Sequence, residues 1–294
     1  MFGRIALVVL FAALATPSFA QEKLKVVATF SILSDLVKNV GGDRVDARTL
    51  VGPNGDAHVY QPSPSDAKTL ADAKVVFVNG LGFEGWMERL IKASGSKAPV
   101  VTATKGVKPR KSDDEHGHGG ADPHAWQSVA NAKIYVANIR DGLSAADPAG
   151  KASYEASAAA YLAQLDALDA EVKAAIEKIP ADRRRIITTH DAFGYFAAAY
   201  GVSFIAPQGV STESEVSAKD VAKIITQIRK QRIPAVFLEN VTDDRLLKRI
   251  GAESGARIGG TLYSDALTGE TGAAPSYIDM MRHNVRQLAQ ALMS

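Results

Sequence analysis

From residue 151 to residue 178 the chain contains neither glycine nor proline. Within that stretch Tyr154, Ala158, Tyr161, Leu165, Leu168, Val172 and Ile176 fall at helical spacing, which makes one face apolar. About 28 uninterrupted residues, each rising about 1.5 Å, predict a helical rod of ~40 Å. Pro148 and Gly150 precede the rod and Pro180 ends it. A rod of that length can span two lobes. The chain is therefore expected to fold as two halves joined by a bridging helix over residues 148–180.

The flanking halves support this division. In residues 21–147, β-branched runs at 25–29, 45–51, 75–79 and 100–102 read as strands, and 32–40 reads as a helix. Ser63, Pro64 and Asp66 open another helix, with Ser63 as N-cap, proline at the first turn and Asp66 as capping partner. In residues 181–294, strands are expected at 186–189, 202–205, 235–239 and 257–261. A helix over 217–230 starts on the capping pair Ser217 and Asp220. Strands alternating with helices argue for parallel sheets. The expected class is α/β, with two lobes, each a parallel sheet flanked by helices. The halves share this architecture without a close sequence repeat.

Composition removes several function classes. The 294 residues are 46% apolar and 22% charged, which is ordinary for a globular protein. A net charge of +2 gives no electrostatic case for a nucleic-acid partner. Cysteine is absent, which excludes disulfides, thiolate metal sites, a cysteine nucleophile and a cysteine-linked lipid. Residues 1–20 read as a signal peptide: Arg4, then an apolar run over 5–14, then Ser18-Phe19-Ala20. The run is shorter than the ~20 residues a membrane span needs. Cleavage after Ala20 is expected, leaving a soluble, unlipidated, monomeric protein in a periplasm.

Three of the six histidines follow strands. His58 lies in the loop after 45–51, His124 lies beyond 100–102, and His190 comes directly after 186–189. Asp265 follows 257–261. Ligands of open α/β sheets bind outside the carboxyl ends of the strands. Facing lobes would bring the four residues together in one cleft. Three imidazoles and a carboxylate form a tetrahedral set that suits zinc, at roughly 2.0–2.2 Å. Manganese would favour more oxygen donors. Four protein ligands leave no open position for a reactive water, which favours binding over hydrolysis. The rival from another class is a zinc hydrolase with three ligands and Asp265 as general base.

Several segments carry a resemblance. Asp56-Ala57-His58-Val59-Tyr60-Gln61-Pro62-Ser63-Pro64-Ser65-Asp66 resembles the His-x-Tyr-Glu-Pro-x-Pro-x-Asp segment of periplasmic zinc- and manganese-binding proteins of ABC importers. Asp122-Pro123-His124-Ala125-Trp126 is similar to that family's Asp-Pro-His-x-Trp. The stretch from Thr189 to Phe196, the stretch from Ser211 to Glu215, and Tyr263-Ser264-Asp265-Ala266-Leu267 also fit, in family order. Gln61 departs from the usual glutamate, at a position that is not a ligand.

The resemblance implies that His58, His124, His190 and Asp265 are the metal ligands. It also implies that the third ligand sets the metal. Zinc members carry histidine there, as at His190, and manganese members carry glutamate. The implied function is capture of Zn2+ and delivery to an ABC permease, with no catalysis, and with a zinc-delivering chaperone as a further partner. The alternative within the family is manganese or iron. Asp113, Asp114, Glu115, His116 and His118 resemble a shortened metal-capturing loop, whose plain alternative is a solvated charged turn. Trp126 is expected to pack beside His124, and Glu239 to orient a ligand imidazole or cap a helix. Asp191 is expected to cap the next helix, and His283 to face solvent. Acid is expected to release the ion near or below the ordinary imidazole pKa of ~6.5. Loss of an imidazole is expected to cost more affinity than loss of Asp265.

Overall fold

The computed structural model describes residues 22–111, 120–213 and 216–293. The signal-peptide reading of residues 1–20 and the loop reading of residues 113–118 lie outside them. Strands β1 (Leu24–Phe30), β2 (Val45–Val51), β3 (Val75–Val78) and β4 (Val100–Thr102) form a parallel sheet in the order β2-β1-β3-β4. Strands β5 (Arg185–Ile187), β6 (Ser203–Ile205), β7 (Ala235–Glu239) and β8 (Arg257–Leu262) form a second parallel sheet in the order β6-β5-β7-β8. The two lobes thus repeat one topology, as expected. In each sheet the chain reverses direction beside the first strand, which is where crevices open in such sheets. All four residues of β3 are buried and apolar, as a strand covered on both faces requires.

Helices α1 (Ser31–Gly41), α2 (Pro64–Asp72), α3 (Met87–Ser94) and α4 (Val129–Ala146) belong to the first lobe. The long helix α5 (Lys151–Glu177) follows, then α6 (Gly194–Tyr200), α7 (Ala218–Gln231), α8 (Arg245–Ser254) and α9 (Tyr277–Met293). The seven apolar positions read on α5 are all buried. The helix packs on α1 and α4 of the first lobe and on α6 and α9 of the second. The turn into α5 is pinned. Arg44 donates to Asp147 Oδ2 from Nε at 3.1 Å and from its terminal nitrogen at 2.7 Å, and the Tyr154 hydroxyl donates to the same oxygen at 2.7 Å. Gly150 has to be glycine there, because a Cβ would lie 2.4 Å from both Arg44 and Asp147.

The capping box at α2 forms as read. The Ser63 amide donates to Asp66 at 2.7 Å, and the Tyr60 hydroxyl reaches the same carboxylate at 2.9 Å. That fixes the far end of the loop carrying His58. Two strands stop earlier than expected. At Thr189 the amide donates to the Glu239 side chain at 2.7 Å rather than to a neighbouring strand. At Asn79 the amide donates to Glu84 at 2.6 Å, and the side-chain amide donates to the Pro123 carbonyl at 2.9 Å.

The main apolar core runs through both lobes without a break. It includes Phe30, Phe83, Trp126 and Tyr135 on one side and Phe193, Phe237, Leu262 and Tyr277 on the other. A smaller core under α7 and α8 holds Ile187, Ile224, Ile228, Val236 and Ile250. Buried hydrogen bonds also cross between lobes. Trp126 Nε1 and Gln127 Nε2 both donate to the Ser264 carbonyl, at 2.9 and 2.7 Å, and the Tyr277 hydroxyl donates to the Trp126 carbonyl at 2.7 Å. A shared apolar core with such cross-links resists a wide hinge swing, so motion on loading is expected in loops. No helix among the described residues is long and apolar enough to cross a membrane.

Candidate metal centre

Each of the four residues sits at the carboxyl end of its sheet, and a local device aims each one inward. His58 lies between β2 and α2. Its amide donates to Asp56 Oδ1 at 2.9 Å, and Trp86 Nε1 holds the preceding Ala57 carbonyl at 2.8 Å. The other oxygen of Asp56 accepts a bond from Thr212 Oγ1 of the second lobe at 2.7 Å. His124 starts a 3-10 turn over Ala125–Gln127. Asp122 Oδ1 accepts its amide at 2.9 Å and lies 2.9 Å from its Nδ1. His190 leaves β5 with its amide on Glu239 Oε1 at 3.0 Å, and its Nδ1 lies 2.6 Å from Glu239 Oε2. The Nδ1 contact is an ion contact without the alignment of a regular hydrogen bond. Asp265 follows β8, one residue after the Ser264 carbonyl that Trp126 and Gln127 grip.

These devices bring His58, His124, His190 and Asp265 together, with one ligand atom from each within 4.8 Å of all the others. His58 Nε2 lies 3.2 Å from His124 Nε2 and 3.3 Å from Asp265 Oδ2. His190 Nε2 lies 3.1 Å from Asp265 Oδ2, and His124 Nε2 lies 3.6 Å from Asp265 Oδ1. A tetrahedron drawn about an ion with bonds of about 2.0 Å has edges of ~3.3 Å. With Asp265 Oδ2 as the carboxylate vertex, the edges of 3.1, 3.2 and 3.3 Å lie close to that length. Asp265 Oδ1 is buried with no hydrogen-bond partner among the described residues, a cost that a cation at the centre would remove. The rings of Phe83 and Trp126 wall the cluster on one side, with Trp126 edge-on to His124 at 5.3 Å.

Charge around the cluster is arranged for a cation. Burial alone would push His124 down, but Asp265 and Asp122 outweigh it and hold the imidazole up at about 9. Burial would likewise lower His190, and Glu239 and Asp265 hold it well above the ordinary value. Burial would raise Asp265, yet the His190 and His124 imidazoles keep it well below the ordinary carboxylate value. His58 goes the other way: burial lowers it, and Asp265 only partly offsets this.

Two other sequence readings need correction. His283 is half-buried rather than solvent-facing, because its Nε2 donates to the Thr261 carbonyl at 3.0 Å and its ring packs on Tyr263. The N-cap position of α6 is Phe193, not Asp191. The roles of Asp56 and Asp122 were missed. Both sit two residues before a histidine of the cluster, and that Asp-x-His spacing lets a carboxylate accept the amide of the histidine. Carboxylates behind ligand imidazoles are worth about 10–100-fold in metal affinity. Glu239→Gln is therefore expected to weaken binding of a divalent metal within that range in a competitive titration. Unchanged affinity would mean that Glu239 only braces the backbone of Thr189 and His190.

Residues 26–291 match the family described as zinc-uptake complex component A, periplasmic (ZnuA). The chain belongs to this family. As a ZnuA-family protein it is the extracytoplasmic metal-binding component that works with the permease of an ABC metal importer. Among its relatives, the iron-binding protein YfeA of Yersinia pestis is 36% identical over 274 residues, covering 93% of this chain and 88% of that one. The manganese-binding lipoprotein MntA of Halalkalibacterium halodurans is 35% identical over 272 residues, covering 92% and 89%. The periplasmic zinc-binding protein TroA of Treponema pallidum superposes with a TM-score of 0.87 at 31% identity, covering 92% and 99%. The cargo of this ZnuA-family protein is thus a divalent metal ion held in the cleft. The names of its relatives divide among iron, manganese and zinc.

Proposed function

We propose that the protein captures Zn2+ and delivers it to an ABC permease, with His58, His124, His190 and Asp265 as the ligands. The observation that carries this reading is the donor set, three imidazole nitrogens to one carboxylate. Nitrogen-rich tetrahedral sites suit zinc, whereas manganese is better served by oxygen donors. For a given set of ligands zinc also binds more tightly than manganese or iron(II). A closed four-ligand site supports a carrier rather than a hydrolase, since Asp265 faces all three imidazoles instead of standing apart as a base.

In this reading residues 1–20 direct export and are removed. The product is a soluble monomer without a lipid, since the sequence has no cysteine to carry one. Residues 113–118 offer a weaker capture point, and a chaperone can supply the ion. Binding requires His124 and His190 to lose their protons to solvent. Asp122 and Glu239 then hold the neutral rings with Nε2 toward the ion.

The test is a competition between equimolar zinc and manganese, read by elemental analysis of the protein after gel filtration. Zinc alone is expected to stay bound. His190→Glu exchanges a nitrogen donor for an oxygen donor and is expected to shift the ratio toward manganese. Retention of manganese by the wild type would overturn the zinc reading in favour of the manganese or iron alternative.

A further inference from the structure

Each lobe holds a glutamate carboxylate at the carboxyl ends of its first and third strands. In the second lobe it is Glu239, which ends β7 and takes the amides of Thr189 and His190 at 2.7 and 3.0 Å. In the first lobe it is Glu84, which follows β3. Its Oε1 accepts the Thr29 hydroxyl near the end of β1 and the Asn79 amide, both at 2.6 Å, and its Oε2 accepts the Gly80 amide at 3.2 Å. Glu239 grips a ligand histidine directly, whereas Glu84 reaches one through Asn79. Asn79 Nδ2 donates to the Pro123 carbonyl at 2.9 Å, and Pro123 immediately precedes His124. The turn from Asn79 to Glu84 is strained to reach this arrangement. Gly80, Leu81 and Gly82 have φ of +87°, +55° and +81°, and leucine has none of glycine's freedom in that region. Such a turn persists only where its surroundings over-determine it. It carries Phe83, whose ring lies 4.7 Å from that of His58 and 6.1 Å from that of His124. Burial pushes the Glu84 carboxyl above its ordinary range, and its donors offset this only in part. A carboxylate kept at that cost, inside a strained turn, points to a task other than stability.

Resting on the metal-carrier reading above, we propose that Glu84 is a positioning residue of the metal centre, the first lobe's counterpart of Glu239. It fixes the Asn79 backbone, Asn79 fixes the Pro123 carbonyl, and that carbonyl sets where the chain enters His124. The His124 backbone is thereby held from two sides. Asp122 accepts its amide at 2.9 Å, and Asn79 grips the carbonyl of the residue before it. Asn79 is itself pinned, since Thr104 Oγ1 donates to its carbonyl at 2.6 Å and the Tyr135 hydroxyl donates to its Oδ1. Binding groups have to stand within about 0.5 Å of their working geometry, so a shift of this frame reaches the ion. Glutamine at position 84 keeps the shape but supplies an NH2 group where a hydroxyl and two backbone amides already donate. One donor then faces another, and the Asn79–Gly80 peptide has to move.

The test titrates zinc against a chelating dye. Glu84→Gln is expected to weaken zinc binding about tenfold, the lower end of the range for groups that support a ligand. Asn79→Leu, which removes the bond to Pro123 at nearly constant shape, should cost at least as much. The double variant should bind no more weakly than Asn79→Leu alone, because the two residues act along one route. A merely structural role would lower the melting of the metal-free protein and leave the loaded site alone. The distinguishing readout is therefore NMR of zinc-loaded protein with isotope-labelled histidine. In Glu84→Gln the ring signals of His124 should move while those of His190, in the other lobe, stay as in wild type. Thr29→Val removes one donor to the carboxylate and nothing else, and it carries both measurements should Glu84→Gln fail to fold, with a smaller change in the same direction. Wild-type affinity, losses that multiply in the double variant, or equal movement of the His190 signals overturns the proposal. Failure of the zinc reading shows in the wild type itself, in the competition with manganese, whereas failure of this proposal shows only in the comparison of variants with wild type.

Discussion

Asp265→Ala is expected to weaken zinc binding by at least about a hundredfold, and by more than His58→Ala does. The scale follows from the 10–100-fold cost of losing a mere supporting partner, which loss of a ligand should exceed. Asp265 approaches all three imidazoles, at 3.1, 3.3 and 3.6 Å, and is the only anion in the set. It is fully buried, so its replacement leaves an apolar methyl where a dication needs charge. His58 is different, because water from the neighbouring cavity can take its place at the ion. This reverses the order drawn from ligand types alone, in which imidazoles outranked the carboxylate. Competitive titration of the two variants against a zinc dye checks it. A smaller loss for Asp265→Ala than for His58→Ala would contradict the geometry.

Zinc affinity is also expected to climb steeply with pH across neutrality. Asp265 and Asp122 hold His124 up at about 9, and Glu239 and Asp265 push His190 the same way, so both rings are expected to carry a proton in the metal-free protein near neutrality. Zinc must displace both protons. The apparent binding constant should therefore rise by more than the tenfold per pH unit of a single proton across neutrality, toward a hundredfold where both rings are protonated. Calorimetry in buffers of different ionisation heat should count about two protons released per ion, and none released would refute it. Reading the sequence alone put proton competition near ~6.5 or lower, because the grouping of Asp122, Glu239 and Asp265 around the rings was not visible there.

Stability moves the opposite way in the metal-free protein. Groups whose folded pKa is raised add stability that is complete below their unfolded value, ~6.5 for histidine, and that fades as pH rises through about 9. The metal-free protein should thus melt lower at pH 9 than at pH 6.5. The increment gained on adding zinc should be larger at pH 9.

Much of the scaffold could be read because its signals are local. The apolar stripe of α5, the capping box at Ser63 and Asp66, and the cap at Ser217 depend on neighbours a few residues away, and all three formed. The ends of β3 and β5 differ from the expected ones because two side chains, Glu84 five residues after Asn79 and Glu239 fifty residues after Thr189, take the amides that would have continued the ladders. Helix α4 was not singled out, although Val129, Ala132, Tyr135, Val136, Ile139 and Leu143 are its buried face. Alanine, asparagine and lysine between those positions dilute the contrast between faces. At the metal centre, ligand types and strand-end positions were enough to choose four residues. The supporting carboxylates were less legible, since Glu239 reaches His190 only through the pairing of β5 with β7. The continuous core between the lobes could not be read at all, because it depends on how two independent sheets dock.

X-ray absorption at the zinc edge, on protein loaded with one equivalent of zinc, tests the central claim most directly. The account predicts four nitrogen or oxygen neighbours at about 2.0–2.2 Å, with the outer-shell scattering of three imidazoles. That imidazole signal should fall by one ring in each of His58→Ala, His124→Ala and His190→Ala. A six-coordinate, oxygen-dominated shell, or an imidazole count unmoved by those substitutions, would contradict it.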